Sequence, residues 1–323
     1  MGALFCVRKR GRMGKILVGP NASMETLQKA LDSHSTVFLT DGIYNITRPL
    51  YIDSGTYLIL SDKAKLRQSA KIHHLLMTRT YRSTQGYNGA RDVTIEGLKI
   101  EGMAKYKTEL NLVTLWHASN VKIRNSTFMD VYHFHALEIN GCEKVTVEDS
   151  NFYGYVSNPK SDFREQIQID FSSESALFLF AKGSKCYDNT CCKDIIIRNC
   201  YFDKSQYRSG ASSCIGNHAQ PKGTHHKNIL IEGCHFKGYG TNPGDACIKL
   251  VAMDDVTIQN NTAEGFGRFV YASKKSYSYD KNGNKCTPNK EDGLCRRIMR
   301  KDNSVTNPTS NYKAWDYYNT SEG

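Results

Sequence analysis

Six short segments of the chain share one pattern of apolar and polar positions. Each segment reads apolar, variable, apolar, polar, and then Gly, Asn or Asp. The six are Val93–Gly97, Val121–Asn125, Val145–Asp149, Ile195–Asn199, Ile229–Gly233 and Val256–Asn260. The alternation predicts a β-strand with one buried face. Because Gly, Asn and Asp best tolerate a left-handed backbone, each strand is predicted to end at a sharp bend.

A second apolar position recurs three residues after each bend. These residues are Ile100, Phe128, Phe152, Phe202, Phe236 and Ala263. They belong to a second short strand whose alternate side chains point inward. Successive copies start 28, 24, 50, 34 and 27 residues apart. The spacing indicates a period of about 25 residues, and the interval of 50 predicts one further copy that has lost the pattern.

A repeat this short, with strands and no helical periodicity, cannot bury its apolar face alone. Copies must therefore stack as the coils of a solenoid. The pattern resembles the right-handed parallel β-helix of the pectate-lyase-like superfamily, the type found in phage tails and bacterial polysaccharide depolymerases. The resemblance implies an all-β fold, a single-stranded right-handed parallel β-helix with a short N-terminal capping helix.

The two ends of the chain differ from the repeats. Ser23 is predicted to cap a helix that runs to about Ser33, with Met24, Leu27, Ala30 and Leu31 on one face. We expect a basic, disordered leader over 1–15, the β-helix over 16–274, and a polar C-terminal tail or cap over 275–323.

A third strand precedes several of the repeats at a constant offset. Its copies are Leu112–Trp116, Ala136–Asn140, Gln166–Asp170 and Cys247–Val251. This register places Thr114, Glu138, Gln168 and Lys249 in one outward column. A second column holds Asn140 and Asp170, and is extended by His218.

Polar and titratable side chains on neighbouring coils together indicate a site, although each one taken singly is explained by a surface hydrogen bond. The candidate catalytic residues are His135, Glu138, Asp170, His218 and Lys249. The candidate substrate-binding residues are His133, Gln166, Gln168, Trp116, Asn140, Arg268 and Tyr271. Trp116 and Tyr271 are included because aromatic rings form platforms for sugars.

The segment Arg164–Asp170, following His135 and Glu138, is similar to that of β-helix proteins of phage tails and polysaccharide degradation. The resemblance implies an extended sugar chain bound in a shallow groove along the stacked strands. It favours β-elimination of an acidic polysaccharide, with His135, His218 or Lys249 as the base. Lys249 or Arg268 would then neutralise the uronate.

Two other functions remain open. In an inverting glycoside hydrolase, Glu138 and Asp170 would flank the scissile bond, at a separation on the order of 8 Å from strand geometry. In a non-catalytic tail spike or adhesin, the same face would only bind carbohydrate. Elimination is preferred because histidines outnumber acids around the columns and the protein is basic.

Composition limits the partners. The 323 residues carry a formal charge of +11, which attracts anions. No apolar run reaches membrane-spanning length, so no membrane partner is expected. Nucleic acid is not expected as a partner either, because the basic residues do not form a row interleaved with aromatic residues along one face. No cofactor is required, and calcium is optional since no dense acidic cluster occurs.

The N-terminal residues predict where the protein is found. Arg8, Lys9 and Arg10 follow a very short apolar run, the reverse of a signal peptide. We therefore expect synthesis in the cytoplasm without a signal peptide, followed by incorporation into a phage virion or release outside the cell. The analogy with phage spikes favours a homotrimer.

Overall fold

The computed structural model describes residues 13–157, 165–174, 176, 179–217, 219–221, 223–239, 246–273, 277–279, 285–286, 294–306 and 315–317. Within these residues the chain winds through three long parallel sheets, visiting each sheet once per coil. The predicted parallel β-helix is therefore confirmed. No helix of the described residues has both the length and the apolar character needed to span a membrane.

The first sheet contains the six repeated segments. Its ten strands are β1 (Met13–Val18), β2 (His34–Leu39), β5 (Tyr57–Leu60), β8 (Arg91–Glu96), β11 (Ser119–Arg124), β14 (Glu143–Glu148), β17 (Lys193–Arg198), β21 (His226–Glu232), β24 (Met253–Gln259) and β29 (Arg296–Lys301). The bend after each repeat is left-handed as predicted, with φ between 51° and 67° at Gly97, Asn125, Asp149, Asn199, Gly233 and Asn260.

The second sheet follows these bends. Its strands are β3 (Gly42–Ile46), β6 (Ala64–Gln68), β9 (Lys99–Glu101), β12 (Thr127–Tyr132), β15 (Asn151–Val156), β18 (Tyr201–Asp203), β22 (His235–Lys237), β25 (Thr262–Glu264) and β30 (Ser304–Thr306). The predicted inward aromatics stack along the axis. Ring centroids are 4.6 Å apart from Phe128 to Phe152, 4.8 Å from Phe152 to Phe202 and 4.9 Å from Phe202 to Phe236.

The third sheet contains the outward columns. Its strands are β4 (Leu50–Ile52), β7 (His74–Thr78), β10 (Asn111–Trp116), β13 (Leu137–Asn140), β16 (Glu165–Asp170), β19 (Ser213–Gly216), β23 (Ile248–Val251), β26 (Val270–Ser273) and β31 (Trp315–Tyr317). A small additional sheet comprises β20 (Ala219–Pro221), β27 (Tyr277–Tyr279) and β28 (Lys285–Cys286). One 3-10 turn spans Ala104–Tyr106.

The 50-residue interval does not contain a degenerate copy. Strand β14 pairs directly with β17, with Val145 opposite Ile195. The prediction of an additional coil is therefore wrong. The residues in between form the second and third strands of one coil, β15 and β16, with long connections around them.

Both ends of the rod extend the pattern. Helix α1 (Met24–Ser33) begins after its cap Ser23 as predicted and buries Leu27, Ala30 and Leu31 against the core. Strand β1 begins at Met13, three residues before the expected start of the β-helix, and pairs with β2. Strands β29, β30 and β31 add a strand to each long sheet within the region expected to be a tail or cap.

Candidate functional site

The outer face of the third sheet carries the first predicted column. Thr114 is paired in register with Glu138, and Glu138 with Gln168. The next position is Gly216, and Lys249 follows it. The column is confirmed, with a glycine separating Gln168 from Lys249.

The second column runs beside it, two residues further along each strand. Trp116, Asn140 and Asp170 are successive register partners. His218, expected to extend this column, lies outside the described residues. Asp170 is therefore one strand across and two residues along from Glu138, the offset on which the estimated separation of about 8 Å depends.

This face is enclosed. His135, Glu138 and Asp170 are 3%, 2% and 4% exposed. Every residue of β10, β13 and β16 is buried, on the outer face as well as the inner one. The expectation of a shallow, open groove is therefore wrong for these three strands.

Trp116 explains part of this burial. Its ring is fully buried, 5.6 Å from the ring of Tyr187 and 6.1 Å from that of Phe180. Leu179 and Cys186 pack in the same cluster. The expected role of Trp116 as an exposed sugar platform is wrong, because the connection after β16 folds back and covers the ring.

The environment of Glu138 favours its protonated form. Its pKa is raised to about 8, chiefly by burial; the Asn140 side chain opposes this shift, and the nearby charge of Asp170 adds to it. The Asn111 side-chain amide donates a hydrogen bond to the Glu138 carboxyl. Glu138 therefore retains its proton near neutral pH and can donate it.

Asp170 is equally buried but differs from Glu138 in its hydrogen bonds. Its Oδ2 accepts a hydrogen bond of 2.7 Å from Nε2 of Gln168, and its Oδ1 accepts one of 2.8 Å from the backbone N–H of Phe171. Both oxygens thus accept from N–H donors, as an ionised carboxylate does. The two acids therefore differ chemically, one suited to donating a proton and the other to accepting one.

Unpaired amide atoms surround the two acids. Gln166 is 1% exposed, and within the part of the chain that the structure describes neither its Oε1 nor its Nε2 has a hydrogen-bond partner. The Oε1 of Gln168 also has none. Buried polar atoms without partners are costly, so they mark a place where water or a hydroxyl-rich ligand supplies the missing hydrogen bonds.

His135 is anchored by the backbone and by a residue that the sequence analysis missed. Its ring Nδ1 lies 2.7 Å from the carbonyl oxygen of Glu165. Its backbone N–H donates to Oδ1 of Asn111 over 3.0 Å. Asn111 therefore links His135 to Glu138. The available signal was its position 24 residues before His135, one repeat earlier.

The remaining candidates lie apart from the two acids. Lys249 is two strands from Gln168, roughly 10 Å at the usual strand spacing. Tyr271 pairs with Lys249 in register, and the Arg268 guanidinium lies 4.9 Å from the Tyr271 ring centre. These three residues form a second polar group further along the rod.

His133 directly follows strand β12 of the second sheet. Its ring stacks on Tyr132 at a centroid distance of 3.8 Å. Partial burial lowers its pKa, against an opposing effect of Glu109. Among the described residues, no three His, Cys, Asp or Glu side chains are grouped closely enough to hold a metal ion.

Comparison with curated proteins finds a distant relative, whereas no protein-family profile matches the chain. Over 282 residues the chain is 25% identical to the plasmin and fibronectin-binding protein A of Streptococcus pneumoniae (strain ATCC BAA-255 / R6). The alignment covers 77% of this chain and 38% of that protein. The chain thus spans less than half the length of this relative.

Solved structures show the same architecture. The surface adhesin PfbA of S. pneumoniae superposes with a TM-score of 0.68 at 21% identity, covering 90% of this chain and 76% of the adhesin. A family 28 exopolygalacturonase of Yersinia enterocolitica has a TM-score of 0.60 at 13% identity, with 94% and 68% covered. A mutant tailspike of E. coli bacteriophage HK620, in complex with a pentasaccharide, has a TM-score of 0.57 at 13% identity, with 90% and 48% covered. The chain is therefore a right-handed parallel β-helix protein.

Proposed function

We infer that the protein hydrolyses a polysaccharide at the outer face of the third sheet, with Glu138 as general acid and Asp170 as general base. The observation that carries this proposal is the contrast between the two carboxyl groups. Glu138 is buried, with its pKa raised to about 8. Asp170 accepts two N–H hydrogen bonds. Glycoside hydrolysis requires one acid held protonated and another held ionised.

The strand offset between the two acids supports a mechanism with inversion at the anomeric carbon. Glu138 gives its proton to the glycosidic oxygen as that bond breaks. Asp170 takes a proton from the water that attacks the opposite side of the sugar. The offset between the strands sets a separation on the order of 8 Å, within the range of about 6.5–9.5 Å that leaves room for this water.

The neighbouring residues suit a sugar ligand. The free amide atoms of Gln166 and the free Oε1 of Gln168 can hydrogen-bond with sugar hydroxyls. Since Glu138 and Asp170 are 2% and 4% exposed, part of the cover over this face must open to admit a sugar ring. The tailspike with its pentasaccharide and the exopolygalacturonase support carbohydrate as the substrate class on this fold.

β-Elimination receives less support from the geometry. It requires a base beside the uronate and a cation that neutralises the uronate carboxylate. The Nδ1 of His135 already contacts the Glu165 carbonyl oxygen, and Lys249 is two strands from Gln168. His218 remains a candidate base from the sequence alone.

A non-catalytic adhesin is the second candidate function. The burial of both acids favours it, because a cleaving enzyme must expose them. The relative is named for binding plasmin and fibronectin, and the superposed structure is named a surface adhesin, which supports a binding function. In this case the rod would bind its partner through exposed surfaces, without catalysis.

Location and assembly are part of the same proposal. The tailspike and adhesin neighbours support a protein of the phage virion or of the cell exterior. A homotrimer stays a prediction. Light scattering coupled to size exclusion tests it, with three times the 36.4 kDa chain mass expected.

The functions are separated by incubating the protein with acidic and neutral polysaccharides. Hydrolysis releases reducing ends without an unsaturated product, and proton NMR of the first product shows the inverted anomer. Elimination releases an unsaturated uronate that absorbs ultraviolet light. Binding without any product from the whole panel would overturn the enzymatic proposal in favour of the adhesin.

A further inference from the structure

A cavity of about 650 Å³ opens where the chain passes from the third sheet to the first. It lies at the starts of β17, β21, β24 and β29. None of the acids or amides of the candidate site lines it. Its volume is within the range of small-molecule sites, about 300–1,000 Å³, and is sufficient for one or two sugar rings.

Charged residues from successive strands line this cavity. Lys193 is paired in register with Lys227, Lys227 with Asp254, and Asp254 with Arg296. Adjacent members are about 4.8 Å apart along the rod. Because the spacing is that of the strands themselves, the row is held rigidly by the first sheet.

Two of the cations differ from Lys193 in their pairing. Lys193 forms an ion pair of 2.8 Å with Glu143 and lies over the Tyr87 ring. In the described part of the chain, neither Lys227 nor Arg296 comes within ion-pair distance of a carboxylate, and both are exposed. The cavity therefore offers two cations to an anionic ligand.

A histidine is fixed beside these cations. Nδ1 of His225 lies 2.8 Å from Oδ1 of Asp254, and the two side chains are 9% and 6% exposed. Asp254 thus orients the ring and leaves Nε2 as the nitrogen available to a ligand. Thr190, Thr224 and Asn189 add hydroxyl and amide groups to the lining.

We propose that this cavity binds an acidic saccharide unit, with Lys227 and Arg296 contacting its anionic group and His225, Thr190 and Thr224 its hydroxyls. The combination favours a charged sugar over a bare anion because neutral hydrogen-bonding groups line the same cavity. It also favours a charged sugar over a neutral one because Lys227 and Arg296 are exposed and pair with no carboxylate among the described residues. The site goes beyond the proposed hydrolysis and does not depend on it.

Calorimetric titration of the full chain carrying Glu138→Gln tests the proposal without turnover. The ligands are an oligouronate, a neutral oligosaccharide of the same length, and inorganic sulfate. We expect the oligouronate to bind most tightly, with affinity that falls as salt is added. Equal affinity for the neutral oligosaccharide, or sulfate binding as tightly as the oligouronate, would overturn the acidic-saccharide assignment.

Variants locate the binding. Lys227→Gln with Arg296→Gln is expected to weaken oligouronate binding by about tenfold or more, since hydrogen bonds to charged groups are lost. The matched control, Lys29→Gln with Arg48→Gln, removes one exposed Lys and one exposed Arg that do not line the cavity. The proposed site is wrong if the Lys227→Gln, Arg296→Gln variant binds the oligouronate as tightly as the parent protein. It is also wrong if the control variant loses the same affinity. Failure of hydrolysis leaves these results unaffected.

Discussion

Asn111 donates a side-chain hydrogen bond to Glu138 on the neighbouring strand of the third sheet. The same side chain accepts a hydrogen bond from the backbone N–H of His135. Asn111 therefore positions the buried Glu138 side chain relative to His135, which precedes strand β13. Because Asn111 lies on β10, this hydrogen bond holds the Glu138 carboxyl group toward β10, on the side of β13 opposite β16.

Replacing either acid should stop hydrolysis. Glu138→Gln and Asp170→Asn each remove one proton transfer, so we expect kcat/KM to fall by about 10²–10⁴-fold. Release of reducing ends measures the loss, and the exposed Glu25→Gln on helix α1 is the control. Full activity in Glu138→Gln would exclude Glu138 as the general acid.

Hydrolytic activity of the wild type should decline as the pH rises past about 8, where Glu138 loses its proton.

The free energy of unfolding should depend on pH through Glu138. In the unfolded chain this group ionises near its ordinary pKa of 4.5, whereas in the folded protein it keeps its proton up to about pH 8. Between these values the folded state binds more protons, so stability falls as pH rises across the window. Above pH 8 the loss is complete, on the order of 3–5 kcal/mol.

Urea unfolding at pH 5 and pH 8 of the wild type and of Glu138→Gln measures this effect. We expect the wild type to lose more stability than the variant between the two values, because Gln does not ionise. A parallel change in both proteins would show that Glu138 is not the responsible group.

The aromatic stack of the second sheet should contribute strongly to stability. Phe152 lies between Phe128 and Phe202, with centroid distances of 4.6 and 4.8 Å, and is fully buried. Phe152→Ala leaves a cavity and should cost about 3–5 kcal/mol. Phe152→Leu should cost less because it fills more of the space. Denaturant unfolding measures the free energy of unfolding of both variants. Equal losses would contradict the idea that Phe152 stabilises the protein by filling this space.

The left-handed bends should discriminate between small residues. Asn260 has φ of 54° and is exposed. Asn260→Gly should leave the melting temperature nearly unchanged. Asn260→Ala should cost about 1–2 kcal/mol, because Ala keeps the Cβ that opposes this conformation and lacks the polar side chain through which Asn tolerates it. Thermal melting distinguishes the two. If Ala were tolerated as well as Gly, the bend would not depend on the residue type.

Local patterns accounted for most of the fold. Alternation fixes which face of a short strand is buried, and a Gly, Asn or Asp marks the bend, so the strands around Asn125 and Asn199 were predictable. The constant offset to the third strand likewise placed Thr114, Glu138 and Gln168 in one column. These features depend on neighbours only a few residues away.

The 50-residue interval was misinterpreted because spacing alone does not distinguish a lost repeat from a long connection. The pairing of Val145 with Ile195 resolved it. Trp116 was misjudged for a related reason. Its outward direction follows from the strand, but its burial depends on Phe180 and Tyr187, in a connection without any period.

The amino-acid sequence by itself determined a stacked parallel β-helix and the register of its outward columns, because both follow from short-range alternation repeated along the chain. Only the tertiary structure decided that the outer face is enclosed and that the pKa of Glu138 is raised by this burial. The same holds for the row of charges from Lys193 to Arg296. Burial and charge proximity arise between residues that are distant in sequence, so no local pattern encodes them.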